Sequence, residues 1–150
     1  MAFLAGLLSF GLLLALIGYL FNIPLLAHWQ DAARIAAAIM FVLIGFMHLR
    51  KPQQLTYMIE GMLPYPTALV IFSGVLEILL GAGLLFPATQ YWSAWGLIIL
   101  LVLMFPANIR VAVAGLPAPG GLPAKAWYTW SRLLFQPVYI WWIWWSAISV

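Results

Sequence analysis

The sequence predicts an all-α membrane protein: a four-helix transmembrane bundle plus one extra N-terminal transmembrane helix. Hydrophobic residues make up 67% of the chain and charged residues only 6%. Apolar stretches of about 18 residues or more recur between prolines, glycines and charges, as in membrane helices. A soluble domain is nearer one quarter charged, because it must cover its core with a wet surface. We therefore predict a single transmembrane domain over residues 1–150.

The first predicted span covers residues 2–21 and has no charged residue. It lacks the basic n-region of a signal peptide and is longer than a typical h-region, so we interpret it as a retained helix. Asn22 and Pro24 end this helix. Residues 1–29 are thus an extra helix and an interfacial segment, placed before a core at 34–149.

The second predicted helix begins near Asp31, a good N-cap residue, and spans 34–49. Residues 50–52, Arg-Lys-Pro, close it. Apolar residues at spacings of three and four follow within 55–63. This spacing predicts a short amphipathic helix on the membrane surface.

Three further spans are predicted at 68–86, 92–113 and 133–148. Pro87 is expected to stop the first of these, and Pro106 to kink the second. A Gly- and Pro-rich loop is predicted at 115–124. With the first two spans, the chain would cross the membrane five times, or four times if the first helix does not span.

The basic residues predict the orientation. Five spans would place five of them on the side of the N-terminus: Arg50, Lys51, Arg110, Lys125 and Arg132. Only Arg34 falls on the other side, so the positive-inside rule makes the first side cytoplasmic and predicts N-in and C-out. The net charge of +3 is too small and scattered to indicate nucleic acid.

Glu77 is the main candidate for function. It lies about ten residues, or roughly 15 Å, into its span, near the midplane. A charge there costs at least about 2.5–3.5 kcal/mol, so it should be partnered or protonated. Ser73, Glu77 and Gly81 share one helix face, and small residues predict that this face points into the bundle. Glu77 could carry protons, bind a polar head group, or only make a structural hydrogen bond.

Five other polar residues are predicted in the cytoplasmic half with Glu77: His48, Asn108, Arg110, Arg132 and Gln136. They predict a polar pocket between helices, with an arginine able to approach Glu77. His48 could hydrogen-bond a quinone carbonyl or exchange protons near neutral pH, or could simply face water. For each arginine alone, a snorkelling interfacial anchor is favoured over a contact with a ligand.

Four tryptophans crowd the outer half of the last helix: Trp141, Trp142, Trp144 and Trp145. They predict an aromatic belt at the interface, or a surface for a flat ligand or a partner subunit. Since they cover more than one helix face, some should meet lipid or another protein.

Several kinds of site are not predicted. The chain has no cysteine, and its two histidines, His28 and His48, are predicted on opposite sides. We therefore predict no metal site, no bis-histidine haem and no intrinsic cofactor. Nucleotide-binding and nucleophile-elbow motifs are also absent from the sequence. Any redox chemistry would need a borrowed cofactor.

Four short motifs stand out: Gly45-Phe46-Met47-His48 with Pro52, Met58-Ile59 before Leu63-Pro64, Ser73-Gly74-Val75-Leu76-Glu77-Ile78-Leu79-Leu80-Gly81, and Phe105-Pro106-Ala107-Asn108. Together they resemble the DoxX family of small bacterial membrane proteins, over about residues 34–145. The resemblance implies membrane redox systems, including quinone-linked sulfur oxidation and oxidative-stress complexes. His48, Glu77 and Asn108 look like the polar positions of that family, whereas the lack of cysteine departs from a thiol-based role.

The leading hypothesis is an accessory subunit of a quinone-linked redox complex in a bacterial inner membrane. It would bind a quinone head group or relay its protons, and is not an enzyme alone. The alternative is a structural or assembly subunit without a ligand, docked on a larger membrane partner through its tryptophans. A small transporter is a third class, disfavoured because we find no internal repeat and only one midplane charge.

Overall fold

The computed structural model describes residues 2–117 and 125–149, and every regular element in them is a helix. There are six α-helices: α1 (Ala2–Phe21), α2 (Trp29–Arg50), α3 (Gln53–Thr56), α4 (Pro66–Gly83), α5 (Pro87–Val113) and α6 (Ala126–Ala147). A 3-10 turn, Pro24–Leu26, joins α1 to α2. The all-helical prediction is confirmed.

Four helices are long and apolar enough to cross a membrane: α1, α2, α4 and α5. Helix α6 has 22 residues, a sufficient length, but its polar and aromatic content keeps it outside this set. The membrane character of the chain is therefore carried by the first four long helices.

Helices α2, α4, α5 and α6 form a ring, and α1 packs outside it. Helix α2 contacts α4 and α6, and α5 contacts the same two helices. Helix α1 lies against α2, where Phe3 places its ring 5.1 Å from that of Phe41. Phe3 also meets Tyr139 of α6. A four-helix core with an extra N-terminal helix is thus the observed arrangement.

Several predicted boundaries are wrong. Asp31 is not the N-cap of α2, because the helix begins at Trp29 and Asp31 pairs with Arg34 at 2.8 Å. Pro87 does not stop α4, which ends at Gly83; it starts α5, where a proline is tolerated because the first N–H has no helical acceptor.

The surface helix and the last span also differ from their predictions. Only Gln53–Thr56 is helical in the interfacial segment, and turns follow it. Helix α6 begins at Ala126, seven residues before the predicted start at 133. The predicted loop at 115–124 lies outside the described residues from 118 onward.

The apolar core occupies the part of the ring away from the interfacial segment. Its centre combines small residues of α2 and α5 with larger side chains from α5, α6 and the end of α4, namely Ala37, Ala38, Leu84, Ala94, Leu97 and Ile143. All six are almost completely buried. The other end of the ring contains most of the buried polar groups, and the candidate site lies there.

Candidate functional site

His48 and Glu77 meet inside the contact between α2 and α4. The Nδ1 atom of His48 is 2.9 Å from Oε2 of Glu77. The two residues are only 9% and 3% exposed. The atoms are within ion-pairing distance but lack the alignment of a hydrogen bond, and neither has another hydrogen-bond partner in the described residues. The predicted burial of Glu77 is confirmed, and its partner is the histidine.

Two glycines bring the helices close enough for this contact. A Cβ atom at Gly45 would lie 2.5 Å from the carbonyl oxygen of Gly74 and 2.6 Å from Ile78. A Cβ atom at Gly74 would lie 2.7 Å from the Cβ of His48. Because no real side chain fits at such distances, glycine is required at both positions. Small residues permit this close approach of backbones in membrane helices.

A second polar cluster joins α5 to α6. Asn108 donates from Nδ2 to Oε1 of Gln136 over 2.9 Å, and its Oδ1 accepts from Nη2 of Arg132 over 3.0 Å. Gln136 also donates to the backbone carbonyl of Leu101. Arg132 and Gln136 lie one turn apart on α6, so both reach the same asparagine.

Arg110 holds the interfacial segment against the end of α5. Its guanidinium donates to the carbonyl of Met58 over 3.4 Å and to that of Glu60. The Tyr57 hydroxyl donates to the carbonyl of Pro117 over 2.5 Å. Burial raises the pKa of Tyr57, against a smaller lowering by the nearby Arg132 guanidinium. Arg110 is thus occupied with backbone carbonyls.

The predicted approach of an arginine to Glu77 is wrong. No arginine nitrogen lies within 4.0 Å of the Glu77 carboxylate in residues 2–117 and 125–149. Across the same residues, no hydrogen bond or ion pair joins the His48–Glu77 pair to the Asn108 cluster. The six predicted site residues therefore separate into a pair, a three-residue cluster and Arg110.

The four tryptophans in the C-terminal half of α6 divide between two faces. Trp142 donates from its indole nitrogen to the carbonyl of Ala33 over 3.0 Å, and Trp145 packs edge-on to Trp29. Trp141 and Trp144 are 54% and 45% exposed. These two line an open apolar groove of about 340 Å³ between α5 and α6. The prediction that some tryptophans face outward is confirmed.

Residues 37–147 match a family described only as Domain of unknown function (DUF8561), over more than two thirds of the chain. The chain belongs to the DUF8561 family. The DUF8561 match contains both polar clusters and leaves α1 outside. No curated protein and no solved structure matches the chain. The DoxX resemblance stays a prediction.

Sequence reasoning missed three contacts of this DUF8561 protein. These are the Gly45–Gly74 approach, the Tyr57 hydroxyl bond, and a bond from the Gln90 side chain to the carbonyl of Ala147 over 2.9 Å. A signal existed for the first, because Gly45 lies on the same face of α2 as His48. The other two join residues at least 57 positions apart in the chain, and no local pattern marks them.

Proposed function

We propose that this protein is an accessory subunit of a quinone-linked redox complex in a bacterial inner membrane. In this proposal the His48–Glu77 pair binds the quinone head group or relays its protons. The observation that carries it is that Nδ1 of His48 and Oε2 of Glu77 are both buried and lack an aligned hydrogen-bond partner in the described residues. Buried polar atoms are normally satisfied, and such exceptions are often functional.

The chemistry of a quinone suits this pair. Reduction of a quinone to a quinol takes two electrons and two protons, and the electrons would come from a redox subunit that this protein joins. Imidazole can donate a hydrogen bond to a quinone carbonyl and exchange protons near neutral pH. The carboxylate of Glu77 can accept a proton from, or return it to, the imidazole at 2.9 Å.

The proposal includes five spans, with α6 as the fifth, an inside N-terminus and an outside C-terminus. Helices α2 and α4 run antiparallel, since Gly45 faces Gly74 and Phe41 faces Gly81. Arg50, Arg110 and Lys125 then share the end of the bundle at which α1 begins. An excess of basic residues favours the cytoplasm for that end.

The experiment is a titration of the purified protein with decyl-ubiquinone, followed by native mass spectrometry. Glu77→Gln should weaken binding by about tenfold, the effect of losing one charged hydrogen bond of about 1.5 kcal/mol or more. Glu60→Gln is the matched control, because it makes the same change at an exposed acid. Unchanged binding in Glu77→Gln with an intact fold would remove Glu77 from the site.

The second candidate is a structural or assembly subunit without a ligand. Two observations favour it: Gly45 and Gly74 pack the helices tightly around His48 and Glu77, and Trp141 and Trp144 face outward. In that case, replacing both exposed tryptophans with alanine releases the co-purifying partner, while Glu77→Gln leaves it bound. Weaker quinone binding in Glu77→Gln, with the partner still bound, favours the quinone proposal.

A further inference from the structure

Arg132 is a cation without an acidic partner. The chain has three acidic residues. Asp31 pairs with Arg34, Glu77 lies against His48, and Glu60 is exposed, with only its backbone carbonyl bound to Arg110. Within residues 2–117 and 125–149, no carboxylate oxygen lies within 4.0 Å of the Arg132 guanidinium.

The Arg132 side chain also has unused hydrogen-bonding capacity. Nη2 donates to Asn108, but Nη1 is buried and has no hydrogen-bond partner in the described residues. A guanidinium has five N–H donors and binds phosphate and carboxylate groups in a fork geometry. Because an uncompensated charge away from water is costly, an anion is expected to complete this site.

An apolar groove begins one helical turn beyond Arg132. Gln136, which shares Asn108 with Arg132, forms the near wall of the groove. The rest of its lining is apolar: Val102, Phe105, Pro137, Ile140, Trp141 and Trp144. From residue 136 to residue 144 the groove follows α6 for about 12 Å, at 1.5 Å per residue. Its lining suits a hydrocarbon chain.

A second cation lies on the same side of α6. Lys125, at the N-cap, is exposed and precedes Arg132 by seven residues, two turns on one helix face. The two positions are separated by about 10 Å along the helix axis. A glycerophospholipid head group, with its phosphate and ester carbonyls, can cover this distance, whereas a single carboxylate cannot.

We propose that an anionic phospholipid binds between α5 and α6. Its phosphate is held by Arg132, its head group extends towards Lys125, and one acyl chain lies in the groove against Trp141 and Trp144. This site is separate from the His48–Glu77 pair and does not depend on quinone binding.

The test is a native mass spectrometry titration of the delipidated protein with phosphatidylglycerol and phosphatidylcholine of equal chain length. The wild type should bind phosphatidylglycerol roughly fivefold more tightly, which corresponds to about 1 kcal/mol for one basic residue at the membrane surface. Arg132→Gln should remove this preference. Lys51→Gln, an equal loss of charge at the exposed C-cap of α2, should retain it.

Two further variants separate binding from folding. Arg132→Lys keeps the charge and should keep most of the preference, even if the bond to Asn108 is lost. Val102→Trp fills the groove and should weaken binding of both lipids while leaving quinone binding unchanged.

Equal affinity of the wild type for the two lipids, or a preference that survives in Arg132→Gln, would overturn the proposal. Displacement of phosphatidylglycerol by an equal concentration of palmitate would overturn it in favour of a free fatty acid. A dimer that dissociates in Val102→Trp would assign the groove to a second copy of the chain. Variants at Glu77 test only the quinone proposal at the His48–Glu77 pair, and their quinone binding does not affect the lipid proposal.

Discussion

The α2–α4 and α5–α6 contacts join neighbouring helices of one ring in opposite ways. In the first, the backbones meet at Gly45 and Gly74, and the polar pair is enclosed by the contact itself. In the second, long polar side chains connect the helices through Asn108, and a groove remains beside them. Both contacts contain buried polar groups, and an open apolar groove lies beside those of the second.

The difference shows how glycine decides what a polar group inside a membrane protein can do. Glycine lets the helices approach so closely that the buried polar atoms of His48 and Glu77 contact each other. Without glycine, as at Asn108 and Gln136, the bridging side chains set the separation of the helices. We expect the α2–α4 contact to be sensitive to small changes and the α5–α6 contact to tolerate them.

The largest expected effect is at the enclosed pair. His48→Ala leaves the Glu77 carboxylate buried without its partner and should reduce the free energy of unfolding by about 3–5 kcal/mol. Replacing both residues, as His48→Phe with Glu77→Leu, should cost much less, because no buried polar group remains. Reversible unfolding in mixed detergent measures both. A double variant as unstable as the sum of its single variants would show that the two residues do not interact.

Next in size is the glycine contact. Gly45→Ala adds a methyl group 2.5 Å from the carbonyl oxygen of Gly74, so the backbones must separate, at about 1–3 kcal/mol. Gly11→Ala is the matched control: its nearest neighbour would be Trp142 at 3.7 Å, an ordinary contact. The same unfolding assay should show a large loss only for Gly45→Ala. Equal losses would mean that the close approach is not what stabilises α2 against α4.

A smaller effect is expected in the α5–α6 cluster. Gln136→Leu leaves Asn108 and the Leu101 carbonyl without one partner each, and should cost about 1 kcal/mol, as side-chain hydrogen bonds inside membranes usually do. Gln54→Leu, at an exposed position of the interfacial segment, is the control and should cost nothing measurable. A loss as large as that of His48→Ala would contradict the contrast between the two contacts.

The smallest effect separates the two tryptophan faces. Trp142→Phe removes the indole hydrogen bond to Ala33 and should cost roughly 0.6 kcal/mol. Trp141→Phe removes no hydrogen bond and should leave the thermal midpoint in detergent unchanged. If Trp141→Phe were the more damaging, the outward face of α6 would contribute to the fold of the isolated chain.

The sequence predicted the helices better than their mutual positions. The limits of α1 and the burial of Glu77 followed from uninterrupted hydropathy and from small residues at spacing four. The partner of Glu77 cannot be predicted in this way. Counting residues gives the depth of a side chain along its own helix, but not its alignment with a residue of another helix. His48 lies near the end of α2 and Glu77 near the middle of α4, and only tertiary packing aligns them.

Some misplaced boundaries have a local physical cause. Pro87 predicts a stop for α4, but proline is also over-represented at the first position of a helix, and there it begins α5. Hydropathy predicts the beginning of α6 too late, because Trp127, Tyr128 and Trp130 lower the hydropathy of a segment that is nevertheless helical. The sequence predicts that the tryptophans cover more than one face of α6. It does not predict which of them face inward, because the contact of Trp142 with the Ala33 carbonyl depends on how α2 packs against α6.

The unequal lengths of α4 and α5 have a consequence for how α5 lies in the bilayer. Helix α4 has 18 residues and α5 has 27, or about 27 Å and 40 Å at 1.5 Å per residue. The hydrocarbon layer is about 30 Å thick, so α4 nearly matches it and α5 exceeds it. The two helices meet through Gly83 and Ser93 near their connection, which places the excess at the Arg110 end. This excess contains Asn108 and Arg110, so α5 can extend beyond the hydrocarbon layer there, and Arg110 holds the interfacial segment on the extension.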